Sequence, residues 1–374
     1  MAATNFAALL TNEKVAWARS TWKVARNNSF VMQFAGKGPN SPIQRITELT
    51  KSEKGAKAII TLVPDLTGDG VVGDHTLKGN EEAIQAADQE VQIDQLRNAN
   101  INTGRIADQK SVITFRDTSR DVLGYWLGDR VDQMGFLTLS GVAYTFTNNG
   151  GERPVLGGGT TGRNLSELSF AADVTAPTAN RHYRWDATSG LVAGDTTAVA
   201  AGDTITYAAL VELKAQAKTN YVKGIKGPGN QEFYHVFLHP LVMAKLKLDT
   251  DFKNAVNNAG VRGMKNPVFT GSMPTLDGLI IHEHRHVYKT LGSVDANSKW
   301  GGTYGVDATV DGSRCLLIGA QALAMGDLGA PYWDEEDEDY NNQYGISVGK
   351  IFGLKKPVFS SEDFGVVCLD VSIR

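Results

Sequence analysis

The sequence predicts a mixed α+β protein built around one long helix. From about Asp108 to Leu139, apolar residues recur at three- and four-residue steps, which is the spacing of an amphipathic helix. Strand-like apolar runs, CLLIGAQAL and FGVVCLDVSI among them, are interspersed with shorter helical stretches, without the regular βαβ order of a parallel sheet. Forty glycines against eleven prolines indicate that this chain of 374 residues turns often.

Composition predicts a folded, soluble protein made in a reducing compartment. Hydrophobic residues make up 42% and charged residues 21%, which suffices for a core and excludes global disorder. The net charge of -4 argues against electrostatic binding of nucleic acid along the whole chain. No apolar run approaches the ~20 residues that cross a bilayer, and no basic leader marks a secretory signal. Cys315 and Cys368 sit in apolar stretches, as buried thiols do.

The first part of the chain predicts an arm followed by a projecting hairpin. Residues 5–34 have only fair helical periodicity, which suits an arm as well as a helix. The segments PIQRITELTK and AKAIITLV read as strands, and the turn-like SEKG between them predicts that they pair. The loop PDLTGDGVVGDHTLKGN has little to bury, so hairpin and loop should project from the body. The next segment, Glu81–Asn100, fits either a helix or a strand.

The long helix combines an apolar stripe with three glycines. A continuous helix from Asp108 to Leu139 would be ~45–50 Å long at 1.5 Å per residue. Gly124, Gly128 and Gly135 each weaken it by ~1 kcal/mol relative to alanine, so tertiary packing has to hold it. The stripe consists of Val112, Phe115, Val122, Leu123, Trp126, Leu127, Val131, Met134 and Leu137, with Asp121, Asp129 and Arg130 on the opposite side.

The composition shifts after the helix. Residues 141–202 are rich in glycine, threonine and alanine, which predicts long loops or an inserted, partly stranded module. A helix is predicted near Ile205–Lys218 and helical pieces near Leu241–Ala259, on either side of the strand YHVFLHP. The strands LIIHEHRHVY, CLLIGAQAL, GISVGKIF and FGVVCLDVSI complete the chain.

The string His282-Glu283-His284-Arg285-His286 matches the H-E-x-x-H pattern of zinc hydrolases. That chemistry needs a helix, on which two histidines bind the metal and the glutamate acts as general base. Here apolar residues on both sides indicate a strand, on which the three histidines share a face and Glu283 points away. We therefore predict no catalytic residue and no metal. The other candidate ligands, His235 and His239, cannot be placed from sequence.

Two further motifs lack the context that their chemistry requires. The run GGGTTG at residues 157–162 matches G-x-G-x-x-G, but the expected strand before it and helix after it are missing. Asp65, Thr67, Asp69 and Gly70 imitate the start of a calcium loop, yet the twelfth position is Thr76 rather than a glutamate. Neither motif predicts a cofactor.

Six consecutive acids, Asp334-Glu335-Glu336-Asp337-Glu338-Asp339, lie between Trp333 and Tyr340. Such runs repel themselves unless they are paired. A calcium site, a contact with a basic patch of a neighbouring subunit and a plain solvated loop are all compatible with this run. We treat it as a candidate acidic contact loop.

A chain with a projecting hairpin, a very long helix, many loops and no legible catalytic constellation indicates an assembly subunit. Seven short motifs occur in a specific order, namely LKGNEEA (77–83), VQIDQLR (91–97), VFLHP (236–240), NPVFTG (266–271), IHEH (281–284), DYNN (339–342) and GLKKPVF (353–359). In these motifs the chain resembles the major capsid proteins of tailed bacteriophages, in particular the family typified by N4-like phages. Their fold is the Hong Kong ninety-seven shell fold.

The resemblance implies how the chain is divided. It implies an N-terminal arm (1–38), an extended loop hairpin or E-loop (39–80) and a peripheral domain with the long spine helix (81–140). A glycine-, threonine- and alanine-rich loop or inserted module (141–204) would follow. The mainly axial domain (205–340) would have strands returning to the body, and C-terminal strands (341–374) would end the chain. The histidine string would be part of a core strand.

The resemblance also implies a structural protein and not an enzyme. Copies would self-assemble as hexamers and pentamers into an icosahedral virion shell around double-stranded DNA, which they would contact non-specifically. Further implied partners are a portal protein and separate scaffolding and decoration proteins, with synthesis in the bacterial host cytoplasm and no membrane contact. The candidate inter-subunit contacts are Arg45, Glu48, Lys51, Lys54, Lys57, Lys78, Glu81 and Glu82, beside the acidic run.

Two alternatives from other classes stay open at this point. An encapsulin-like nanocompartment has the same fold and would form a small shell around a cargo enzyme. A zinc-dependent hydrolase acting through His282–His286 would bind one zinc ion per chain.

Overall fold

The computed structural model describes most of the chain, with gaps in the N-terminal segment and in several loops. The described residues are 19–25, 29–47, 57–62, 66, 68–83, 87–110, 114–154, 164–227, 229, 231–259, 275–293, 299–302 and 308–373.

Helices and strands alternate irregularly, as the mixed α+β prediction requires. The helices are α1 (residues 19–25), α2 (Arg105–Lys110), α3 (Phe115–Ser140), α4 (Tyr207–Thr219), α5 (Pro240–Leu248) and α6 (Thr250–Ala259). The strands are β1 (Ala35–Gly36), β2 (Ile43–Ile46), β3 (Lys57–Leu62), β4 (Ala87–Gln92), β5 (Asp94–Ile101), β6 (His182–Asp186), β7 (Gly190–Ala193), β8 (Ile225–Lys226), β9 (Glu232–Leu238), β10 (Thr275–Leu276), β11 (Leu279–Glu283), β12 (Gly312–Ile318), β13 (Leu323–Asp327), β14 (Tyr332–Glu338), β15 (Gln343–Lys355), β16 (Val358–Phe359), β17 (Glu362–Asp363) and β18 (Val366–Ser372).

β12 and β18 form the centre of an eight-stranded sheet that is buried on both faces. The strand order in this sheet is β10-β11-β9-β12-β18-β6-β7, and β8 also pairs with β9. Every residue of β12 and β18 is buried. Leu316 and Cys368 pack in the core that contains α3, whereas Leu317 and Leu369 pack in a second core with α4 and α5. Burial on both faces explains why these strands read as continuous apolar runs.

The predicted hairpin forms between different strands. β2, within PIQRITELTK, pairs in parallel with β1 and with β13. These strands belong to a six-stranded sheet with the strand order β1-β2-β13-β15-β14, and its sixth strand, β5, pairs with β15. β3, within AKAIITLV, pairs with β4 in an antiparallel ladder from Lys57 opposite Gln92 to Leu62 opposite Ala87. The prediction that the first two strands pair with each other is therefore wrong. Alternation identifies a strand and its buried face, but it does not identify the partner strand.

The long helix is confirmed, but it begins later than predicted. α3 has 26 residues, which corresponds to about 39 Å, and α2 is a separate helix before it. Thr114, the residue before α3, is extended, and it ends a β-branched run that disfavours helix. The helix stops at Gly141, which adopts the left-handed conformation of a helix C-cap (φ 66°). Val122 was predicted in the apolar stripe but is 50% exposed, so it lies outside the core.

Glycines on α3 form the surface on which the N-terminal part of the chain packs. A Cβ atom on Gly128 would lie 2.9 Å from the carbonyl oxygen of Ala25, and one on Gly124 would lie 2.9 Å from Cγ1 of Val24. The bare backbone at these positions lets α1 approach α3 closely. The residues that weaken the helix by propensity therefore form its docking face.

Asp132 of α3 anchors the segment that follows α1. Its buried carboxylate accepts hydrogen bonds from the Ser29 hydroxyl at 2.7 Å and from the backbone N–H groups of Phe30 and Val31 at 2.9 Å each. Burial raises the pKa of Asp132, although these three donors oppose the rise. Three donors on one carboxylate offset much of its desolvation. Residues 29–31 are consequently fixed against the chain's own long helix.

In the described parts of the glycine-rich stretch, residues 141–154 and 164–202, the two strands β6 and β7 extend an existing sheet. β6 pairs in parallel with β18, and β7 pairs with β6. The ambiguous segment Glu81–Asn100 forms strands β4 and β5, whereas α4, α5 and α6 lie where helices were predicted. In the part of the chain that the structure describes, no helix is long and apolar enough to cross a membrane.

Candidate assembly surfaces and the histidine cluster

Only the first two residues of the histidine string, His282 and Glu283, lie on a strand, so the prediction of one strand with three histidines on the same face is correct only for its beginning. β11 ends at Glu283, and residues 284–286 turn away from the sheet. The carboxylate of Glu283 lies 3.5 Å from the Lys247 ammonium group, on the side opposite the histidine rings. A general base placed between two metal ligands therefore does not exist here.

The histidines pack into an aromatic cluster that holds the N-terminal segment. The rings of His282 and His284 lie 5.8 and 4.5 Å from that of Phe30, and His284 also stacks on Phe136 at 4.9 Å. Nδ1 of His235 hydrogen-bonds Nε2 of His282 at 2.8 Å. His286 leaves this cluster and places Nε2 2.8 Å from the Asp129 carboxylate. The cluster joins β9, β11 and α3 to the segment after α1.

The cluster contains imidazoles without the carboxylate or thiolate partners of a metal site. Among the described residues no group of three or more His, Cys, Asp or Glu side chains could hold a metal ion. His239 caps α5, where its Nδ1 accepts a hydrogen bond from the Leu241 N–H at 3.2 Å. The zinc-hydrolase alternative has no geometric support in this arrangement.

We expect the histidine cluster to make the fold acid-sensitive. Burial lowers the pKa of His235 and His284 in the cluster, and that of His239 at the start of α5, to about 4, whereas an unfolded chain protonates its histidines near pH ~6.5. Between these values the unfolded state binds protons that the folded state does not, so stability falls as the pH falls. The melting temperature should therefore drop between pH 6.5 and 4, and the drop should be smaller in His284→Phe. An unchanged slope in that variant would contradict the assignment, with the exposed His75→Asn as control.

The acidic run is an edge strand and not the predicted loop. Asp334–Glu338 belong to β14, which pairs with β15 from Tyr332 opposite Gly349 to Glu338 opposite Gln343. Asp339 begins the turn between these strands. Alternation along β14 divides the run into two faces, because Glu335 points inward and most of the other acids are exposed.

Among the described residues, Arg116 neutralises one acid of this run, Glu335. Its two carboxylate oxygens accept hydrogen bonds from Nε and Nη2 of Arg116 at 3.0 and 3.2 Å, and Nε1 of Trp333 donates to it at 2.7 Å. A bidentate arginine pair fixes both groups strongly. The exposed acids Asp334, Glu336, Asp337 and Glu338 remain as a negatively charged surface, and its role as a contact stays a prediction.

The hairpin of β3 and β4 exposes an acidic loop. Lys57 forms an ion pair with Glu90 across the ladder. Beyond it, Glu81 and Glu82 accept hydrogen bonds from the backbone N–H groups of Gly79 and Gly68, each at 2.7 Å, and so close the loop on itself. Three aliphatic side chains of this loop are exposed, namely Leu66 (59%), Val72 (76%) and Leu77 (61%). Exposed apolar residues grouped on one loop are typical of a contact with another molecule.

The remaining predicted contact residues differ in their surroundings. Lys78 is exposed on the same loop. Arg45 pairs within the chain with Asp327 at 2.7 Å, and the buried Lys350 approaches the same carboxylate at 2.5 Å. Glu48, Lys51 and Lys54, like the glycine-rich motif at 157–162, lie outside the described residues.

Comparison with known proteins agrees with the fold and with the resemblance found in the sequence. A family model described as phage capsid protein matches residues 5–373. The chain is 50% identical over 376 residues to the major capsid protein of Pseudomonas phage KPP25, and the match covers 97% of this chain and 96% of that protein. The chain is also similar to the capsid structures of Ralstonia phage GP4 and cyanophage Pam1. The first is 24% identical with a TM-score of 0.72 over 92% of this chain and 91% of that chain. The second is 19% identical with a TM-score of 0.70 over 91% of each chain.

These matches confirm the predicted Hong Kong ninety-seven-type capsid fold. They also identify the chain as a major capsid protein and hence as a component of the virion. The chain therefore belongs to the phage capsid protein family.

Proposed function

We propose that copies of this chain assemble as hexamers and pentamers into the closed icosahedral head shell of a tailed phage. The observation that carries this proposal is the 50% identity to a phage major capsid protein over nearly the whole of both chains. The exposed hairpin loop and the acidic edge strand support it, because the described part of the chain leaves both surfaces uncovered. Closed symmetry lets many weak contacts of this kind add up to a stable shell.

The hairpin of β3 and β4 is proposed as the extended loop that reaches a neighbouring subunit. Its ladder and its loop together cover residues 57–92, so we place the end of the extended loop at Gln92 rather than at residue 80. The other proposed divisions are the spine helix α3 in the peripheral domain, and the region from residue 205 onward mainly in the axial domain. Lys78, Glu81 and Glu82 are candidate contacts on the loop.

The acidic edge of β14 is proposed to meet cationic side chains of an adjacent subunit. Replacing the exposed acids together, as Asp334→Asn, Glu336→Gln, Asp337→Asn and Glu338→Gln, should lower shell yield and weaken the dependence of shell stability on salt. Exposed ion pairs are screened by salt, so their loss removes that dependence. Glu335 is left unchanged because Arg116 already binds it.

Shell yield, measured by gradient sedimentation, and shell melting at low and high salt would test this prediction. Asp251→Asn, an exposed acid on α6, is the control. Unchanged yield and unchanged salt dependence in the fourfold variant would contradict a contact at this edge.

The interior partner is proposed to be double-stranded DNA, which a chain of net charge -4 would contact only weakly and without sequence preference. A portal protein and separate scaffolding and decoration proteins are proposed as further partners. The chain is proposed to be made in the bacterial host cytoplasm and to have no enzymatic role.

Light scattering in line with size exclusion tests this function. The chain would be co-expressed with the other head genes of its phage, so that a missing scaffold does not limit assembly. We expect particles of many copies of the 40.3 kDa subunit, or free hexamers and pentamers. Only monomers would contradict shell formation, and small particles around a cargo enzyme would indicate a nanocompartment.

A further inference from the structure

The segment at residues 29–36 contains no titratable side chain, but it packs against three imidazoles. Its sequence is SFVMQFAG. The ring of Phe30 lies 4.5 Å from that of His284 and 5.8 Å from that of His282. Any change of charge at this contact therefore arises in the surface on which the segment lies, and the segment cannot compensate it.

Phe34 of the same segment covers a hydrogen-bonded pair of imidazoles. Its ring lies 5.0 Å from that of His235 and 5.2 Å from that of His282. Nδ1 of His235 lies 2.8 Å from Nε2 of His282. One proton between these nitrogens satisfies both rings, whereas two imidazolium rings would place two donors against each other. The contact therefore holds only while at least one of the two rings is neutral.

The other charged groups near the segment do not stabilise a charge on the three imidazoles. They are Asp129 and Asp132 of α3, Arg285 and His286 of the turn after β11, and Glu283 with Lys247 on the opposite side of β11. Arg285 and His286 both bind Asp129, and both oppose a positive charge on His284. β12 places the apolar Ile318 opposite His235.

The sign of the pH dependence follows from these groups. Burial lowers the pKa of His235 and His284 to about 4 and lowers that of His282, whereas an imidazole in water has a pKa of ~6.5. Removal of the segment uncovers the rings, so the released state binds more protons and gains stability as the pH falls from 6.5 to 4. Asp132 acts in the opposite direction, because burial raises its pKa, but it is one group against three.

The chain on either side of the segment is held by contacts without histidine. In α1, the ring of Trp22 lies 3.9 Å from the ammonium group of Lys350, and the helix packs on the glycines of α3. β2 pairs with β13 over four residues, whereas β1, the end of the segment, adds only two residue pairs to β2. Release of residues 29–36 therefore does not require α1 or β2 to leave the body.

We propose that residues 29–36 are an acid-released latch. As the pH falls, the segment leaves the surface formed by α3, β9 and β11, while the sheet centred on β12 and β18 stays folded. Protons from the solvent bind the imidazoles that Phe30 and Phe34 uncover. The latch is independent of the proposed shell function, because every group that it uses lies in one chain. It differs from a general loss of stability in that one defined segment opens first.

Hydrogen exchange of the full-length unassembled chain, measured by mass spectrometry of its peptides, tests the latch. The N–H groups of Phe30 and Val31 donate to Asp132 while the segment is docked, so their exchange measures its opening. Each imidazole whose pKa returns from about 4 to ~6.5 favours opening roughly 20-fold between pH 7 and pH 5. After correction for the intrinsic pH dependence of exchange, opening should increase at least ~100-fold.

The strand β18, which is buried throughout, is the internal reference. Its N–H groups should keep their protection at pH 5. Equal opening of the segment at the two pH values would overturn the latch, and so would an equal loss of protection in the segment and in β18.

Two variants and one control assign the effect to the imidazoles. His284→Phe keeps an aromatic ring between Phe30 and Phe136, and His282→Gln keeps a hydrogen-bonding group, but neither new side chain takes up a proton. Each should reduce the pH dependence of opening roughly 10-fold. In the control, His239→Asn, burial also lowers the pKa of the replaced histidine to about 4, but His239 caps α5, and asparagine also caps helices.

The control should therefore leave the pH dependence of opening unchanged. If one of the two variants does not fold, the other still gives the comparison. An unchanged pH dependence in the variants, or a loss in His239→Asn as large as theirs, would overturn the proposal.

Discussion

Asp370→Asn is expected to lower the free energy of unfolding by about 3–5 kcal/mol, the usual cost of leaving one buried charge without its partner. Asp370 on β18 is fully buried and binds Nε and Nη2 of Arg314 on β12 at 2.8 and 3.0 Å. His182 adds a contact at 2.6 Å. Burial alone would raise the pKa of Asp370, but Arg314 and His182 hold it below its ordinary value. The neutral amide would leave the Arg314 guanidinium uncompensated.

The effect should also reach the long helix, because Nη1 of Arg314 donates to the Ser140 carbonyl at the end of α3. Denaturant unfolding of the unassembled subunit measures the loss, with Asp277→Asn as matched control. Asp277 pairs with Lys214 at 2.7 Å but is 62% exposed, and exposed pairs contribute only about 0–1 kcal/mol. Adding Arg314→Met to Asp370→Asn should recover part of the stability. Equal losses in Asp370→Asn and Asp277→Asn would show that the buried pair of Asp370 and Arg314 contributes no more than an exposed ion pair.

Gly128→Ala is expected to destabilise the protein, although alanine is the better helix former. Helix propensity alone predicts a gain of ~1 kcal/mol. The new Cβ atom would lie 2.9 Å from the backbone oxygen of Ala25, so α1 has to move away from α3, and overpacking of this kind costs ~1–3 kcal/mol. The sign of the change in stability therefore shows whether Gly128 is needed for the contact between α1 and α3.

Thermal unfolding of Gly128→Ala and of the control Tyr125→Ala measures this difference. Tyr125 lies on the other side of α3 and is 55% exposed, and surface changes are usually within ~0.5 kcal/mol. A higher melting temperature in Gly128→Ala would show that α1 does not depend on that contact.

Elements with strong local patterns were predictable from the sequence, and their partners were not. The stripe through Leu123, Leu127 and Val131 predicts α3 because it follows the helical period, and all three are buried. The prediction that Val122 is buried is wrong, because helical periodicity also includes residues at the border of the apolar stripe. The predicted start of the helix near Asp108 is wrong as well, because periodicity does not take into account the β-branched residues before Phe115. The pairing of β2 with β13 joins residues about 280 positions apart, and local alternation contains no information about such pairs.

For the candidate contact surfaces, too, local patterns were predictable from the sequence and tertiary contacts were not. The apolar neighbours of His282 predict a strand at this position. A strand excludes the helical arrangement of two histidine ligands that a zinc protease requires. Charge dominates the composition of the acidic run and therefore predicts a loop, yet Trp333 and Glu335 both point inward, as alternate residues of a strand do. Asp132 and Gly128 were not recognised as docking residues. The four-residue spacing of Gly124 and Gly128 was the available signal, since it leaves one helix face bare.

Electron microscopy of particles from cells that express the chain with its phage's head genes shows whether this chain builds the shell. We predict closed icosahedral shells in which every hexamer and pentamer position is this chain, with the β3–β4 hairpin of each copy lying on its neighbour. Shells built from another protein, with this chain absent from the wall or present only as a monomer, would contradict its role as the shell subunit.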